Sequence, residues 1–187
     1  MFATLVCALA GSVSASAQHH GDHQRGSGEL HHTSSPHVHG AAELLIVQDG
    51  KQLEIELRSP AANLLGFEHH PKTKAQHDKL NKLSATLAEG AELFQFAPSS
   101  CQLLSHSTDL GTLDAGEQNA GDHLDDHGDH SDIKAHYRYH CGAAVQSLHS
   151  DVASRYPGLD TVRVQWVVNG RQGAATLDNS HRNVIFR

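Results

Sequence analysis

The sequence predicts an α+β fold of antiparallel hairpins with two or three helices. Two turn motifs, Asp49-Gly50 and Asn169-Gly170, each lie between stretches in which apolar and polar residues alternate, and this arrangement is typical of β-hairpins. Between these hairpins, about residues 73–89 carry apolar side chains at helical spacing. Hairpins combined with separate helices indicate an antiparallel α+β fold.

The first hairpin begins after the segment His37-Val38-His39-Gly40. Its first strand has mainly apolar side chains at both alternating sets of positions, Ala42, Leu44 and Ile46 against Glu43, Leu45 and Val47. We therefore expect this strand to be buried largely on both faces. The return strand predicts one buried and one exposed face, with Leu53, Ile55 and Leu57 opposite Glu54, Glu56 and Arg58.

Two helices are expected to follow this hairpin. Ser59 can cap a short helix that has Pro60 at its first position and ends at Gly66. The longer helix runs from about residue 73 to residue 89, because Thr73 and Gln76 have the spacing of a capping box and a glycine follows the last turn. Its apolar stripe consists of Ala75, Leu80, Leu83 and Leu87.

The second half of the chain predicts further strands and one helix. Strands are expected at about residues 93–96, 101–104, 133–141, 162–168, 174–177 and 183–186. In the strand at 133–141, one face carries Tyr137, Tyr139 and Cys141, and the other carries His136, Arg138 and His140. The spacing of Val145, Leu148 and Val152 predicts a helix.

Residues 1–17 have the character of a secretory leader. The apolar run ends in Ala15-Ser16-Ala17, a small-x-small pattern that predicts cleavage before Gln18 and export of the mature chain. No Lys or Arg precedes the run, which leaves open a start further upstream. Lipid modification of Cys7 is not favoured, because the bulky Val6 precedes it. Residues 18–36 are rich in histidine and are expected to be disordered.

The charge balance limits the classes of partner. The formal net charge is -7, with 18 histidines counted as neutral. Nucleic acid and anionic membranes require a basic face, so both are excluded as expected partners. Beyond the leader, no segment is long and apolar enough to span a bilayer.

Removal of the leader leaves Cys101 and Cys141, which are 40 residues apart. In an exported protein such a pair most simply forms one disulfide. The alternative, two thiolate zinc ligands, requires a reducing environment that the leader argues against.

A His/Asp-rich tract spans residues 121–141, and its first half belongs to a mobile loop predicted at about residues 107–131. Imidazoles next to carboxylates are typical of zinc-binding segments, whereas the alternative is a solvated polar linker. A second histidine-rich tract at residues 18–36 favours metal binding. The candidate loop ligands are His123, Asp125, Asp126, His127 and Asp129.

Further candidate ligands lie in or next to the predicted folded region. His37-x-His39 places two imidazoles on one side of a strand or flexible lead-in, and Glu68-His69 stands at a chain reversal. His130 and Asp132 are at the junction of loop and strand.

His136 and His140 are also candidates. If they lie in a strand they are separated by roughly 13 Å, too far to share one zinc ion, so each requires partners from a neighbouring element.

No motif for catalysis is present: His-Glu-x-x-His, Gly-x-Ser-x-Gly and the phosphate-binding glycine loop are all missing from the sequence. We therefore expect a zinc-binding protein that is not an enzyme. Copper is a weaker candidate because Met1 is the only methionine, whereas nickel and cobalt remain possible. The alternatives are a metal buffer without a transport partner and a zinc-dependent hydrolase.

Several stretches resemble the periplasmic zinc-uptake proteins of the ZrgA type: His37-Val38-His39-Gly40-Ala41-Ala42-Glu43-Leu44, Ser59 to Pro71 (SPAANLLGFEHHP), Tyr137-Arg138-Tyr139-His140-Cys141 and Tyr156-Pro157-Gly158-Leu159. The resemblance covers nearly all of the mature chain. It implies a periplasmic role in zinc acquisition, with an uptake system of the cell envelope as partner. It also implies that His37, His39, Glu68 and His69 match the motif positions.

Overall fold

A computed structural model of the chain describes residues 38–114 and 131–187. The described strands are β1 (Gly40–Asp49), β2 (Gln52–Pro60), β3 (Phe94–Ala97), β4 (Cys101–Asp109), β5 (Asp132–Cys141), β6 (Ser147–Ser150), β7 (Leu159–Val168), β8 (Arg171–Leu177) and β9 (Asn183–Ile185). The described helices are α1 (Ala61–Leu65), α2 (Lys74–Ala88), α3 (Gly90–Leu93) and α4 (Val152–Arg155), and a 3-10 helix covers Gly111–Asp114. None of the described helices is long and apolar enough to cross a membrane.

Six strands form the larger sheet, in the order β4-β5-β2-β1-β7-β8, and the smaller sheet has the order β3-β6-β9. Both expected hairpins, β1–β2 and β7–β8, are present as antiparallel pairs. The predicted α+β class is thus confirmed in outline, although strands predominate and the described part contains four α-helices. One pairing departs from the antiparallel expectation, because β1 and β7 are parallel neighbours in the middle of the larger sheet.

The expectation that β1 is buried on both faces is wrong. Ala42, Leu44 and Ile46 are buried, but Leu45 and Val47 are 42% and 40% exposed. The reason is that, within residues 38–114 and 131–187, only one face of the larger sheet is covered, as the alternating burial along β1, β2, β5 and β7 shows. On the open face, Leu45 and Val47 lie between Glu54 and Glu56 of β2 and Gln165 and Val167 of β7.

Aromatic contacts join the smaller sheet to the inner face of the larger one. Phe94 and Phe96 of β3 meet Tyr137 and Tyr139 of β5 edge to face, at ring-centroid distances of 5.3 and 5.2 Å. This geometry suits the quadrupoles of aromatic rings and adds to the free energy gained from their burial. On the β7 side, Trp166 makes a similar contact with Phe186, at 5.3 Å.

The predicted longer helix is confirmed as α2. Thr73 is its N-cap and forms the expected capping box with Gln76, while Leu80, Leu83 and Leu87 are its buried residues. The short helix α1 ends, as expected, at Gly66, whose φ of 83° is the left-handed conformation that glycine adopts readily. Ser59 does not cap it: Ser59 ends up in β2, and Pro60 is the N-cap without a side-chain hydrogen bond.

The expectation of a helix that contains Val145, Leu148 and Val152 is wrong. Leu148 lies in β6, the central strand of the smaller sheet, and only Val152 begins a short helix, α4. Apolar residues three and four positions apart suit a helix, but they also suit a strand followed by a turn. Pairing of β6 with both β3 and β9 provides hydrogen-bond partners for the backbone of this segment. These strand pairings outweigh the helical spacing of the apolar residues.

The predicted disulfide is confirmed. Cys101 and Cys141 are directly paired residues of β4 and β5, with an S–S distance of 2.06 Å. The pairing of β4 with β5 continues to Asp109, which pairs with Lys134. The predicted loop at about 107–131 therefore overlaps β4 and the 3-10 helix at residues 107–114, and its remainder at 115–130 lies outside the described residues.

Candidate metal centre

The five-residue helix α1 connects three parts of the chain that carry predicted ligands. Its central residue, Asn63, is buried, with 4% exposure. The Gly40 N–H donates to Asn63 Oδ1 over 2.9 Å, and Asn63 Nδ2 donates to the Ala41 carbonyl over 2.9 Å. The start of β1, which directly follows His39, is thus fixed to α1.

The same helix also holds the chain next to His130. The Ala61 N–H at the start of α1 donates to the Ser131 carbonyl over 2.8 Å. The Ser131 hydroxyl accepts from the Thr112 N–H and donates to the Leu110 carbonyl, each over 3.2 Å. Ser131 therefore joins the two described chain ends that flank residues 115–130, and it holds them at α1.

The other end of α1 leads to Glu68 and His69. Both side chains are half-buried. His69 Nδ1 lies 2.8 Å from the carbonyl oxygen of His70. Since a carbonyl oxygen can only accept, Nδ1 carries the hydrogen, and the neutral ring keeps its lone pair on Nε2. A backbone carbonyl that orients a metal-binding histidine through its other ring nitrogen is a common feature of zinc sites.

His136 and His140 both lie in β5, on the exposed face of the strand. The strand geometry supports the argument that they do not share one metal ion. His136 has a carboxylate neighbour, since its Nδ1 lies 3.8 Å from Glu56 Oε2 on β2. His140 pairs with Gln52 and Gln102 on the adjacent strands, neither of which offers a carboxylate.

Asp132 makes an ion pair with Arg58. Its Oδ2 accepts from Arg58 Nε over 2.9 Å and lies 2.8 Å from Arg58 Nη2. The side chains are 15% and 32% exposed, so water screens this pair less than a surface pair. A metal ion at Asp132 would have to compete with the guanidinium for that oxygen.

The remaining predicted ligands, His37, His123, Asp125, Asp126, His127, Asp129 and His130, lie outside the described residues. His39 is described and is exposed. Within 38–114 and 131–187, no three His, Cys, Asp or Glu side chains stand close enough to form a ready metal site. Among the described candidate ligands, Glu68 and His69 lie beyond the end of α1, and His39 directly precedes the strand that α1 fixes.

The match to a protein family covers most of the chain. The family model described as ZrgA family zinc uptake protein matches residues 36–186. The chain belongs to the ZrgA family. No curated protein matches it. All four segments that suggested this family in the sequence lie inside the matched range. Helix α1 comes from the longest of them, Ser59 to Pro71.

Sequence reasoning missed three parts of this region. Asn63 has a recognisable signal, because an asparagine between apolar helix residues requires hydrogen-bond partners when it is buried. The Glu56–His136 pair has none, since it depends on the β2–β5 register. The proximity of His70 to His77, described below, depends on how the loop before α2 folds.

Proposed function

We propose that this ZrgA family member is a periplasmic zinc-binding protein that captures Zn(II) through its His/Asp-rich segments and holds it at a folded His/carboxylate site. The observation that carries the proposal is the convergence of three segments on α1. The segments are the one that ends at His39, the one that follows His130, and the one that contains Glu68 and His69. Zinc is the cargo in this function.

The chemistry of the predicted ligands supports a zinc site. His37, His39 and His69 offer imidazole nitrogens and Glu68 a carboxylate, a donor set that suits a borderline divalent ion. The hydrogen bond from His69 Nδ1 to the backbone leaves Nε2 as the ligand atom. A partly fixed imidazole loses less conformational entropy when it binds metal than a freely rotating one.

The loop supplies weaker ligands. His123, Asp125, Asp126, His127 and Asp129 make up much of its acidic, imidazole-rich sequence. Negative charge raises the local concentration of a divalent cation and so favours capture. Because Ser131 holds the base of this segment at α1, captured zinc would be released close to the folded site. His136 and His140 on the open face are further weak sites in this scheme.

Two alternatives make different demands. A metal buffer for zinc, nickel or copper tolerance, with no transport partner, would have only sites of similar and modest affinity. A zinc-dependent hydrolase would need three fixed ligands, an open coordination position and a general base. The sequence has neither a His-Glu-x-x-His motif nor a Gly-x-Ser-x-Gly motif, so the zinc-acquisition role is favoured over the hydrolase.

The test is a calorimetric zinc titration of the mature, oxidised chain beside two variants. One variant lacks residues 122–130, and the other carries Glu68→Gln and His69→Gln. The matched control is His106→Gln, an exposed histidine on β4. We expect a tight site that survives the loop deletion and the control but is lost in the double variant.

If all binding disappears with the loop, the folded site does not exist. If the double variant keeps the tight site, its ligands are elsewhere. Uniformly weak binding in the intact protein would favour the buffer.

A further inference from the structure

Two histidines outside the proposed zinc site lie close together at the start of α2. His70 is half-buried in the loop before the helix, and His77 is exposed in the first turn of the helix. Their ring centroids are 6.1 Å apart, and the ring planes are nearly perpendicular, at 77°. The sequence alone leaves open whether His70 joins Glu68 and His69 as a ligand, and it favours a solvated surface position for His77.

The hydrogen bonding of His70 prepares one nitrogen for a metal ion. Its Nδ1 lies 3.1 Å from the carbonyl oxygen of Pro71. The same reasoning as for His69 applies: the carbonyl only accepts, so Nδ1 bears the hydrogen and Nε2 keeps the lone pair in the neutral ring. Pro71 is buried, so the carbonyl that orients the ring belongs to a well-packed part of the loop.

The backbone that carries His77 is equally well defined. Its N–H donates to the carbonyl of Thr73, the N-cap of α2, over 3.0 Å. The capping box of Thr73 and Gln76 fixes this first turn of the helix. Both imidazoles therefore project from ordered backbone, and only their side-chain torsions need to change for them to approach one ion.

The ring separation fits a shared metal ion after a small movement. A zinc ion lies about 3.2 Å from the centre of an imidazole that binds it, given a zinc–nitrogen bond of about 2.0–2.1 Å. Two such rings at a tetrahedral angle have centres about 5 Å apart by the same geometry. The observed 6.1 Å is about 1 Å longer, a difference that side-chain rotation can remove.

We propose that His70 and His77 form a second metal site, which binds a borderline divalent cation such as Zn(II) through two imidazole nitrogens. Water completes the coordination, because His77 is exposed, so the ion exchanges readily. Metal binding by this pair does not rest on the proposed function. Its role does: His70 directly follows His69, so the pair would receive zinc next to the folded site.

The test is residue-resolved NMR of the histidine rings in the full mature chain, titrated with zinc chloride. Long-range proton–nitrogen spectra report which ring nitrogen binds metal. We expect Nε2 of His70 and one ring nitrogen of His77 to shift together, with a common midpoint. The His77→Gln variant should abolish the His70 shift, because glutamine keeps the helix but offers no imidazole. The His106→Gln control should leave both shifts unchanged.

Two outcomes would overturn the proposal. One is a His70 shift that persists at the same zinc concentration in His77→Gln. The other is no shift of His70 and His77 in the intact chain, which would leave them as an edge-to-face pair of rings only. The His69 signal separates the two proposals: if it still responds to zinc, the folded site stands without the pair, and if it does not respond either, both fail.

Discussion

The side chain of Asn63 forms hydrogen bonds with the backbone at Gly40 and Ala41, as a neighbouring β-strand would do. Its Oδ1 accepts from the Gly40 N–H and its Nδ2 donates to the next carbonyl, that of Ala41, each over 2.9 Å. A buried carboxamide that satisfies one donor and one acceptor of the main chain costs little to bury, but its removal leaves both groups without a partner. This single side chain therefore fixes the segment after His39 to α1.

We predict that Asn63→Ala lowers the free energy of unfolding by about 1–3 kcal/mol, because two partly buried backbone groups lose their partners. Zinc affinity at the folded site should fall as well, since the position of His39 relative to α1 is no longer fixed. Urea unfolding and calorimetry measure the two effects. The exposed Asn179→Ala serves as the control. If stability falls but the tight zinc affinity is unchanged, the asparagine has a structural role alone.

Ser131 provides a second test, at the base of the His/Asp-rich segment. Its hydroxyl joins the Thr112 N–H to the Leu110 carbonyl, and the residue is 2% exposed. Ser131→Ala should lower the free energy of unfolding by about 1–3 kcal/mol, through the loss of both hydrogen bonds in a buried place. Limited proteolysis should cut near residues 110–114 faster than in the intact protein, whereas the exposed Ser180→Ala control should not change cutting there. Equal cutting rates would show that the hydroxyl does not hold the loop base.

The disulfide is expected to contribute strongly to stability. It closes a loop of 40 residues between paired positions of β4 and β5. The double variant Cys101→Ser, Cys141→Ser should lose roughly 4 kcal/mol of unfolding free energy in the chain-entropy model. Urea unfolding of the oxidised protein, the reduced protein and the variant tests this. The reduced protein and the variant should agree, and a variant as stable as the oxidised protein would contradict the prediction.

Gly173 lies against the indole of Trp166, the only tryptophan of the chain. A Cβ added to Gly173 would overlap with Cζ2 of that ring. Gly173→Ala should therefore displace the ring, lower the free energy of unfolding by about 1–3 kcal/mol and change the tryptophan emission. Gly142→Ala is the control, because its nearest neighbour is Ser99 Oγ at 3.2 Å. An unchanged spectrum would show that the strand moves instead of the ring.

Local sequence patterns predicted individual strands, the α2 capping box and both hairpins, because these depend on neighbours in the sequence. They did not predict the parallel pairing of β1 with β7, in which Ala42 meets Val162. Partners so far apart are selected by the packing of the whole sheet. The two-sided burial expected for β1 failed for the same reason: a strand with two apolar faces does not reveal which face the core will cover.

In the candidate site, too, some features were predicted from the sequence and others depend on the fold. Residue types and the family resemblance pointed to Glu68 and His69 from the sequence. The features that make His69 a suitable ligand, a Nδ1–H bond to the His70 carbonyl and half-burial, depend on the fold of one loop. No residue pattern specifies the orientation of an imidazole ring. For that reason the His70–His77 proximity could not be foreseen either.

The final prediction concerns alkaline pH and the only three tyrosines of the chain, Tyr137, Tyr139 and Tyr156. All three are buried, and burial raises the pKa of each phenol above its usual value near 10. The folded state thus keeps its phenolic protons at a pH where the unfolded state releases them. The stability is fully present below about pH 10 and falls as the pH rises further.

The slope above pH 10 should reach about 1.4 kcal/mol per pH unit for each tyrosine that stays protonated in the folded state, and at most about 4 kcal/mol per pH unit for the three together. Ultraviolet absorbance of tyrosinate should therefore appear together with the loss of circular dichroism, not before it. Tyr137→Phe should reduce the slope by about a third, yet cost little at neutral pH. This is because the Tyr137 hydroxyl has no hydrogen-bond partner among the described residues. Tyrosinate absorbance in the folded protein near pH 10 would contradict the burial of these side chains.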